Sequence, residues 1–191
     1  MQIGLFFGSF NPIHTGHLII ANYMADYTRL DEIWFVVSPQ NPFKSKDELL
    51  DECERLHLLE MAIENDSRFK VCDIEFNLPR PSYTENTLLH LRTKFKQDQF
   101  TLIIGGDNYQ KFHKWKNYED ILQHHKVNVY ARIGIVEKPL LANHPGIKLF
   151  EVPLLNISST YIRETIQACK SIRYLVPEAV RIEIERRSFY L

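Results

Sequence analysis

Gly8-Ser-Phe-Asn-Pro-Ile-His-Thr-Gly-His17 is the stretch of sequence that decides the fold. It follows an apolar run, Ile3–Phe7, that predicts a buried strand, and it precedes Leu18–Tyr27, which predicts a helix. A strand that enters a helix through a glycine-containing turn leaves backbone N–H groups unbonded at the helix start, where the helix dipole favours negative charge. The segment therefore predicts a phosphate site at this turn.

The rest of the chain alternates between short β-branched or aromatic runs and longer amphipathic runs. The other predicted strands are Ile33–Val37, Phe69–Ile74, Phe100–Ile104, Val127–Ala131 and Ile147–Val152. The other predicted helices are Glu52–Glu64, Tyr83–Phe95, Tyr109–His113 with Tyr118–His125, Ser159–Gln167 and Pro177–Arg187. This alternation predicts an α/β fold: one doubly wound, Rossmann-like domain over residues 1–191. We expect a mainly parallel sheet of five to six strands, helices on both faces and a small C-terminal helical part.

Composition excludes several classes of function. The 191 residues carry a formal net charge of −1, so no general basic field favours a nucleic-acid partner. No apolar stretch approaches the roughly 20 residues that span a bilayer, and the N-terminus lacks the pattern of a signal peptide. The three cysteines are far apart, which disfavours a disulfide or zinc framework. We expect a cytoplasmic protein without a nucleic-acid or membrane partner, and its oligomeric state stays open, a homo-oligomer included.

His14 and His17 are the first candidate chemical groups. Histidines at this spacing are commonly exposed polar residues or helix caps. A zinc site needs a third ligand and a general base, and neither stands at matching spacing. Pro12 excludes a helix before His14, and Gly16 allows a backbone to approach a ligand closely. We therefore interpret the pair as two hydrogen-bond donors aimed at a phosphate.

A second candidate site follows the last predicted strand, in Asn156-Ile-Ser-Ser-Thr-Tyr-Ile-Arg163. Hydroxyls at a helix start usually act as caps. Arg163, one turn into the helix, would place its guanidinium on the face that Ser159 and Thr160 share. Hydroxyls, unbonded N–H groups and a fork-shaped cation suit a polyphosphate. Capping alone and a polyphosphate site are both open at this point.

Four further candidates lie on segments that follow strands. Asp107, after Phe100–Ile104, is either a helix cap or an acceptor for ribose hydroxyls. Lys44 is a solvated charge unless the other segments place it in a site. Trp115 lies between two lysines, an unusual setting for a core residue, and an exposed indole can stack on a planar ring. Tyr83-Thr84 occupies another loop on the expected ligand side.

Taken together, these segments resemble nucleotidyltransferases that carry a His-x-Gly-His motif after the first strand and an Ile-Ser-Ser-Thr-x-Ile-Arg motif near the end. Within that superfamily the chain is similar to the bacterial nicotinate-nucleotide adenylyltransferase family, and the resemblance runs nearly end to end. The discriminating middle motifs are Pro81-Ser-Tyr-Thr84 with Thr87-Leu88, and Gly105-Gly-Asp107 with Phe112-His-Lys-Trp115. Pantetheine-phosphate adenylyltransferases share both end motifs but are shorter and lack this middle pair.

The resemblance implies that the phosphate of nicotinate mononucleotide attacks the α-phosphorus of ATP, with Mg²⁺ on the polyphosphate, to form deamido-NAD and pyrophosphate. It implies that His14 and His17 stabilise the reacting phosphates. It implies nucleotide-binding roles for Gly8, Ser9, Phe10, Lys44, Asp107, Ser158, Ser159, Thr160 and Arg163. It implies acceptor-binding roles for Tyr83, Thr84 and Trp115, the indole stacking on the nicotinate ring. Mg²⁺ is inferred from the chemistry of ATP, and the sequence identifies no dedicated protein ligand for it.

One departure and three alternatives accompany this resemblance. Many members carry a histidine where this chain has Phe43, next to Lys44. Another acceptor, nicotinamide mononucleotide or phosphopantetheine, is the nearest alternative. A dinucleotide-dependent oxidoreductase would need G-x-G-x-x-G after the first strand, which Gly8-Ser-Phe-Asn-Pro does not supply. A nucleotide sensor without catalysis would be marked by loss of a motif histidine or of Arg163, and all are present.

Overall fold

The computed structural model describes residues 1–39, 49–80, 82–131, 141, 143–153 and 155–191. Within these ranges six strands form one sheet: β1 Gln2–Gly8, β2 Glu32–Val37, β3 Phe69–Cys72, β4 Gln99–Gly105, β5 Lys126–Ala131 and β6 Ile147–Glu151. Neighbouring strands are parallel in every pair, and their order is β3-β2-β1-β4-β5-β6. The order reverses between β1 and β4, which is the doubly wound arrangement. The predicted fold class is therefore confirmed.

Helices cover both faces of the sheet, as expected. They are α1 Thr15–Tyr27, α2 Glu52–Ile63, α3 Thr84–Lys94, α4 Gly106–Gln110, α5 Tyr118–His124, α6 Ser159–Gln167 and α7 Glu178–Arg187. Phe6 and Phe35 face a core under α1, α2, α6 and α7, whereas Leu5 and Leu102 face a core under α3, α4 and α5. Because both faces are covered, the central strands β1, β2 and β4 are apolar at consecutive positions. Each fully buried side chain of this size contributes about 1.5–3 kcal/mol.

The structure corrects two predicted boundaries by two residues or more. α1 begins at Thr15, not at Leu18, because His14 caps it. β3 ends at Cys72, where its pairing with β2 stops, and Ile74–Asn77 forms a 3-10 helix in place of the end of the predicted strand.

The predicted helix Tyr109–His113 is also wrong. α4 begins directly at the end of β4, with Gly105 as its N-cap, and a separate 3-10 helix follows over Phe112–Lys114. Among the described residues, no helix is long and apolar enough to cross a bilayer.

Candidate active site

The two histidines of the β1–α1 turn cap the helix reciprocally. Nδ1 of His14 accepts from the backbone N–H of His17 at 3.3 Å, and Nδ1 of His17 accepts from the backbone N–H of His14 at 3.3 Å. A neutral imidazole whose Nδ1 accepts carries its proton on Nε2. The rings are stacked, with centroids 3.6 Å apart and planes 23° apart. Both rings therefore turn Nδ1 toward the helix start and, when neutral, carry the proton on Nε2.

Burial keeps His14 neutral. The residue is 6% exposed, and desolvation lowers the pKa of its ring to about 4. At neutral pH it is therefore a hydrogen-bond donor and not a cation. Gly16 permits this arrangement, because a Cβ at that position would lie 3.0 Å from Nδ1 of His14. His17, in contrast, is only half-buried and packs against Phe10, with ring centroids 5.1 Å apart.

Phe10 shapes the turn in front of the histidines. Its φ is 44°, in the region that a bulky side chain rarely adopts, which costs about 1–3 kcal/mol. Its ring is buried against Phe6 and Phe35, and this burial offsets the strain. Gly8 makes room for the ring, because a Cβ there would lie 2.8 Å from it. The turn therefore has a fixed backbone shape before any ligand binds.

The start of α6 is fastened to the same turn. Ser159 donates through Oγ to the carbonyl of Pro12 at 2.9 Å, and Arg163 donates through Nη1 to the carbonyl of Asn11 at 3.0 Å. Ser158 caps α6 by accepting from the N–H of Tyr161 at 3.1 Å. The structure thus brings the two sequence motifs together. The capping interpretation holds for Ser158, and it coexists with the arrangement expected for a phosphate site.

Thr160 and Arg163 line a cleft of about 440 Å³, which we call the phosphate cleft. The rest of its wall is formed by Leu49, Leu50, Glu164, Gln167, Tyr190 and Leu191, and neither His14 nor His17 is among the lining residues. Within the described part of the chain, the hydroxyl of Thr160 has no hydrogen-bond partner, so it is available to a ligand. Arg163 is 9% exposed, so its guanidinium is held among protein atoms and does not sweep through solvent.

A second cleft of about 340 Å³, the acceptor cleft, lies at the carboxyl ends of β1, β2 and β4, where doubly wound sheets bind ligands. Its lining residues are Phe7, Gly8, Ser9, Ser38, Glu75, Ser82, Tyr83, Thr84, Glu85, Asn108, Lys114, Trp115 and Lys116. Gly8 and Ser9 are thus brought together with the predicted acceptor-binding residues. Sequence reasoning missed Ser38, Glu75 and Asn108, because no local pattern marks their approach to the cleft.

Two walls of the acceptor cleft are linked to each other. Glu85, at the start of α3, accepts from the side-chain amide of Asn117 at 2.5 Å and lies 3.9 Å from Nζ of Lys116. The same Nζ lies 4.8 Å from the centre of the Tyr83 ring. Trp115 packs against Phe112 with ring centroids 5.1 Å apart, and its indole is half-buried. The indole is therefore held in place while part of it faces the cleft.

Asp107 occupies the first turn of α4 at the end of β4. It does not cap the helix: the N-cap is Gly105, and no side chain makes a capping hydrogen bond at this helix start. Its carboxylate is exposed and has no hydrogen-bond partner in the described ranges, so it can accept hydroxyls. Burial, with a smaller contribution from Asp107, raises the pKa of Tyr130 to about 12. Lys44 and its neighbour Phe43 lie outside the described residues.

Arg55 is a buried residue that sequence reasoning missed. It is fully buried and donates to the carbonyls of Ser9 at 2.5 Å, Ser38 at 2.9 Å, Pro39 at 3.1 Å and Leu50 at 2.8 Å. It therefore ties the ends of β1 and β2 to the segment before α2. An arginine on the apolar face of an amphipathic helix was the available signal. Among the described residues, no group of three or more His, Cys, Asp or Glu could hold a metal ion.

Comparison with known proteins agrees with this geometry. The cytidylyltransferase-like family model matches residues 5–165. A protein of Flavobacterium psychrophilum named probable nicotinate-nucleotide adenylyltransferase is 50% identical, covering 100% of this chain and 99% of its own. A protein of Cytophaga hutchinsonii with the same name is 52% identical, covering 100% and 98%.

Among solved structures, nicotinic acid mononucleotide adenylyltransferase of Plasmodium falciparum complexed with NaAD has the same fold. Its TM-score is 0.82 at 19% identity, and the match covers 99% of this chain and 97% of that one. Because the chain shares about half of its residues with the bacterial relatives over its whole length, it belongs to the cytidylyltransferase-like family and, within it, to the nicotinate-nucleotide adenylyltransferases.

Proposed function

We propose that this protein transfers AMP from ATP to nicotinate mononucleotide, with deamido-NAD and pyrophosphate as products. The observation that carries the proposal is the fastening of α6 to the β1–α1 turn. Ser159 and Arg163 donate to the carbonyls of Pro12 and Asn11, which places two helix starts and the histidine pair side by side. Helix starts attract anions, and this arrangement suits a nucleoside triphosphate.

The reaction needs positioning and charge stabilisation more than covalent chemistry. The acceptor phosphate is already ionised near neutral pH, so no general base is required. We assign the Nε2–H donors of His14 and His17 to the phosphate oxygens at the reacting phosphorus. We assign Thr160 and Arg163 to the β- and γ-phosphates. Asp107, an exposed carboxylate, would accept from the ribose hydroxyls of ATP.

Other predicted nucleotide contacts fit around this core of residues. The shaped turn of Gly8, Ser9 and Phe10 would present its main chain to the nucleotide. Ser158 keeps its hydroxyl proton while it caps α6, so its Oγ–H can still donate to a phosphate. Lys44 is assigned a phosphate contact by the family resemblance alone.

The acceptor cleft supplies a place for the nicotinate group. Trp115 would stack on the nicotinate ring, because its indole is held by Phe112 and faces the cleft. Tyr83 and Thr84, at the start of α3, would receive the ring carboxylate through backbone N–H groups and a hydroxyl. Lys116 lies beside Glu85 in this cleft, and the ammonium group of Lys114, which lines it as well, favours an anionic ligand.

A divalent cation, Mg²⁺, would accompany ATP. Magnesium in nucleotide sites keeps several waters and binds substrate phosphates, so it needs few protein ligands. When bound, the ion neutralises charge on the polyphosphate, and the groups of this chain orient the nucleotide around it.

We further place this activity in the cytoplasm, within a single domain over residues 1–191. ATP and nicotinate mononucleotide are its small-molecule partners, and the charge balance argues against nucleic acid. Sedimentation of the purified protein measures whether it acts as a monomer or a homo-oligomer.

Pyrophosphate release by the purified protein tests the proposal. With Mg²⁺ and ATP, we expect faster release with nicotinate mononucleotide than with nicotinamide mononucleotide, and none with phosphopantetheine. Faster turnover of the amide or of phosphopantetheine would assign the protein to another acceptor. No turnover with any of the three would favour a nucleotide sensor.

A further inference from the structure

Glu75 is a buried carboxylate in the wall of the acceptor cleft. It lies in the 3-10 helix after β3 and is 3% exposed. Thr87 donates through its hydroxyl to one carboxylate oxygen at 2.7 Å, and Ser82 donates to the other at 3.1 Å. Within the described part of the chain, no Lys, Arg or His nitrogen lies within 4.0 Å of it. Glu75 thus occupies the cleft wall with hydroxyl partners and no ion pair.

Burying a carboxylate in this setting costs free energy, because the group loses its hydration, and its hydrogen bonds have to compensate for that loss. Hydrogen bonds to an ionised acceptor are about twice as strong as neutral ones. The two donors come from either side of the Tyr83-Thr84 segment, Ser82 before it and Thr87 after it. Glu75 therefore holds this segment at both ends. If either donor moved away, one oxygen of the buried carboxylate would lose its hydrogen bond.

The Tyr83-Thr84 segment that Glu75 holds contains the start of α3. Its N-cap, Tyr83, gives no side-chain bond to the helix, and its carbonyl accepts from Asn86 at 2.9 Å and from Thr87 at 3.3 Å. Among the described residues, the N–H groups of Thr84 and Glu85 have no acceptor, and both residues line the cleft. Paired N–H donors at a helix start suit a ligand carboxylate. Their direction depends on the segment that Glu75 holds.

We propose that Glu75 is a positioning residue that sets the preference of the acceptor cleft for a carboxylate over a carboxamide. This inference rests on the proposed function, because it concerns the same acceptor. A ligand carboxylate accepts from both N–H groups, whereas a carboxamide offers one oxygen and an NH₂ that cannot accept. A change in the direction of the N–H groups therefore weakens binding of the acid more than binding of the amide.

Two near-isosteric variants test this role. Glu75→Gln removes the charge, and Thr87→Val removes one donor, which also lies 3.4 Å from the carbonyl of Tyr83, while keeping the shape of the side chain. We expect each to lower the ratio of kcat/KM for nicotinate mononucleotide over that for nicotinamide mononucleotide by about five- to tenfold, the worth of one hydrogen bond. The KM for ATP should stay unchanged. Thr93→Val is the matched control, because its hydroxyl donates only to the carbonyl of Leu89 on the same helix.

The double variant makes the test specific. If Glu75 and Thr87 act as one unit, Glu75→Gln with Thr87→Val should lower the ratio little more than either change alone. An unchanged ratio, an equal loss for both acceptors, or tighter binding of the acid to Glu75→Gln would each overturn the inference. Should Glu75→Gln fail to fold, by circular dichroism, Thr87→Val and Ser82→Ala still decide it. Failure of the wild-type protein to turn over either mononucleotide would refute the proposed function instead.

Discussion

The phosphate cleft and the acceptor cleft are built in different ways. At the starts of α1 and α6, the second of which carries Thr160 and Arg163 of the phosphate cleft, the groups that shape each helix start are neighbours in sequence: His14 with His17, and Ser158 with Tyr161. At the acceptor cleft, α3 has no side-chain cap, and Glu75 and Asn117 hold its start from other segments. Contacts between sequence neighbours do not depend on the position of distant segments. A contact between distant segments, in contrast, can be altered by one substitution without changing the others. We therefore expect changes at the starts of α1 and α6 to damage catalysis and changes at the acceptor cleft to alter acceptor binding.

His17→Ala gives the largest expected effect. It removes the less buried Nε2–H donor of the phosphate side, and loss of one preorganised donor to transition-state charge typically lowers kcat by about 10²–10³-fold. The KM for nicotinate mononucleotide should change less, because the contact strengthens in the transition state. Steady-state kinetics measure both constants, with His90→Ala, an exposed histidine on α3, as control. A change confined to KM would contradict the assignment.

The burial of His14 predicts a loss of stability in acid. The folded pKa is about 4 and the ordinary value is 6.5, so between these values the unfolded chain binds more protons and stability falls as the pH falls. The full contribution, about 3 kcal/mol, is present above pH 6.5 and is lost progressively toward pH 4. Urea unfolding at several pH values measures it.

His14→Asn is the matched variant for that experiment, since asparagine can accept the His17 N–H but does not titrate. Between pH 4 and 6.5, the change in its free energy of unfolding should be smaller than that of the unsubstituted protein by about 3 kcal/mol. Equal pH dependence of the two proteins would show that the His14 ring is not the group responsible.

Trp115→Ala gives the smallest of these effects and falls on the acceptor side. Loss of a stacking surface should raise the KM for nicotinate mononucleotide about tenfold and leave the KM for ATP and the kcat nearly unchanged. Trp115→Phe should lie between the two proteins. An unchanged KM for the acceptor would assign Trp115 to packing against Phe112 alone.

The fold was predictable because apolar periodicity is local. Consecutive apolar residues in β1 and β4 reported that both faces of the sheet are covered, and the alternation with helices reported parallel strands. The end of β3 was mispredicted because it depends on where β2 stops pairing. α4 was misplaced because Gly105 starts the helix at the strand end, a choice that composition does not indicate.

The sequence by itself determined the local structure at the starts of α1 and α6, because each of those helix starts is organised by residues three apart in the chain. The tertiary structure alone decided that the two starts meet through the carbonyls of Asn11 and Pro12. It also decided that Glu75 and Arg55 are buried beside the clefts. The groups that satisfy a buried charge come from strands and loops that are distant in sequence, so only the folded chain brings them together.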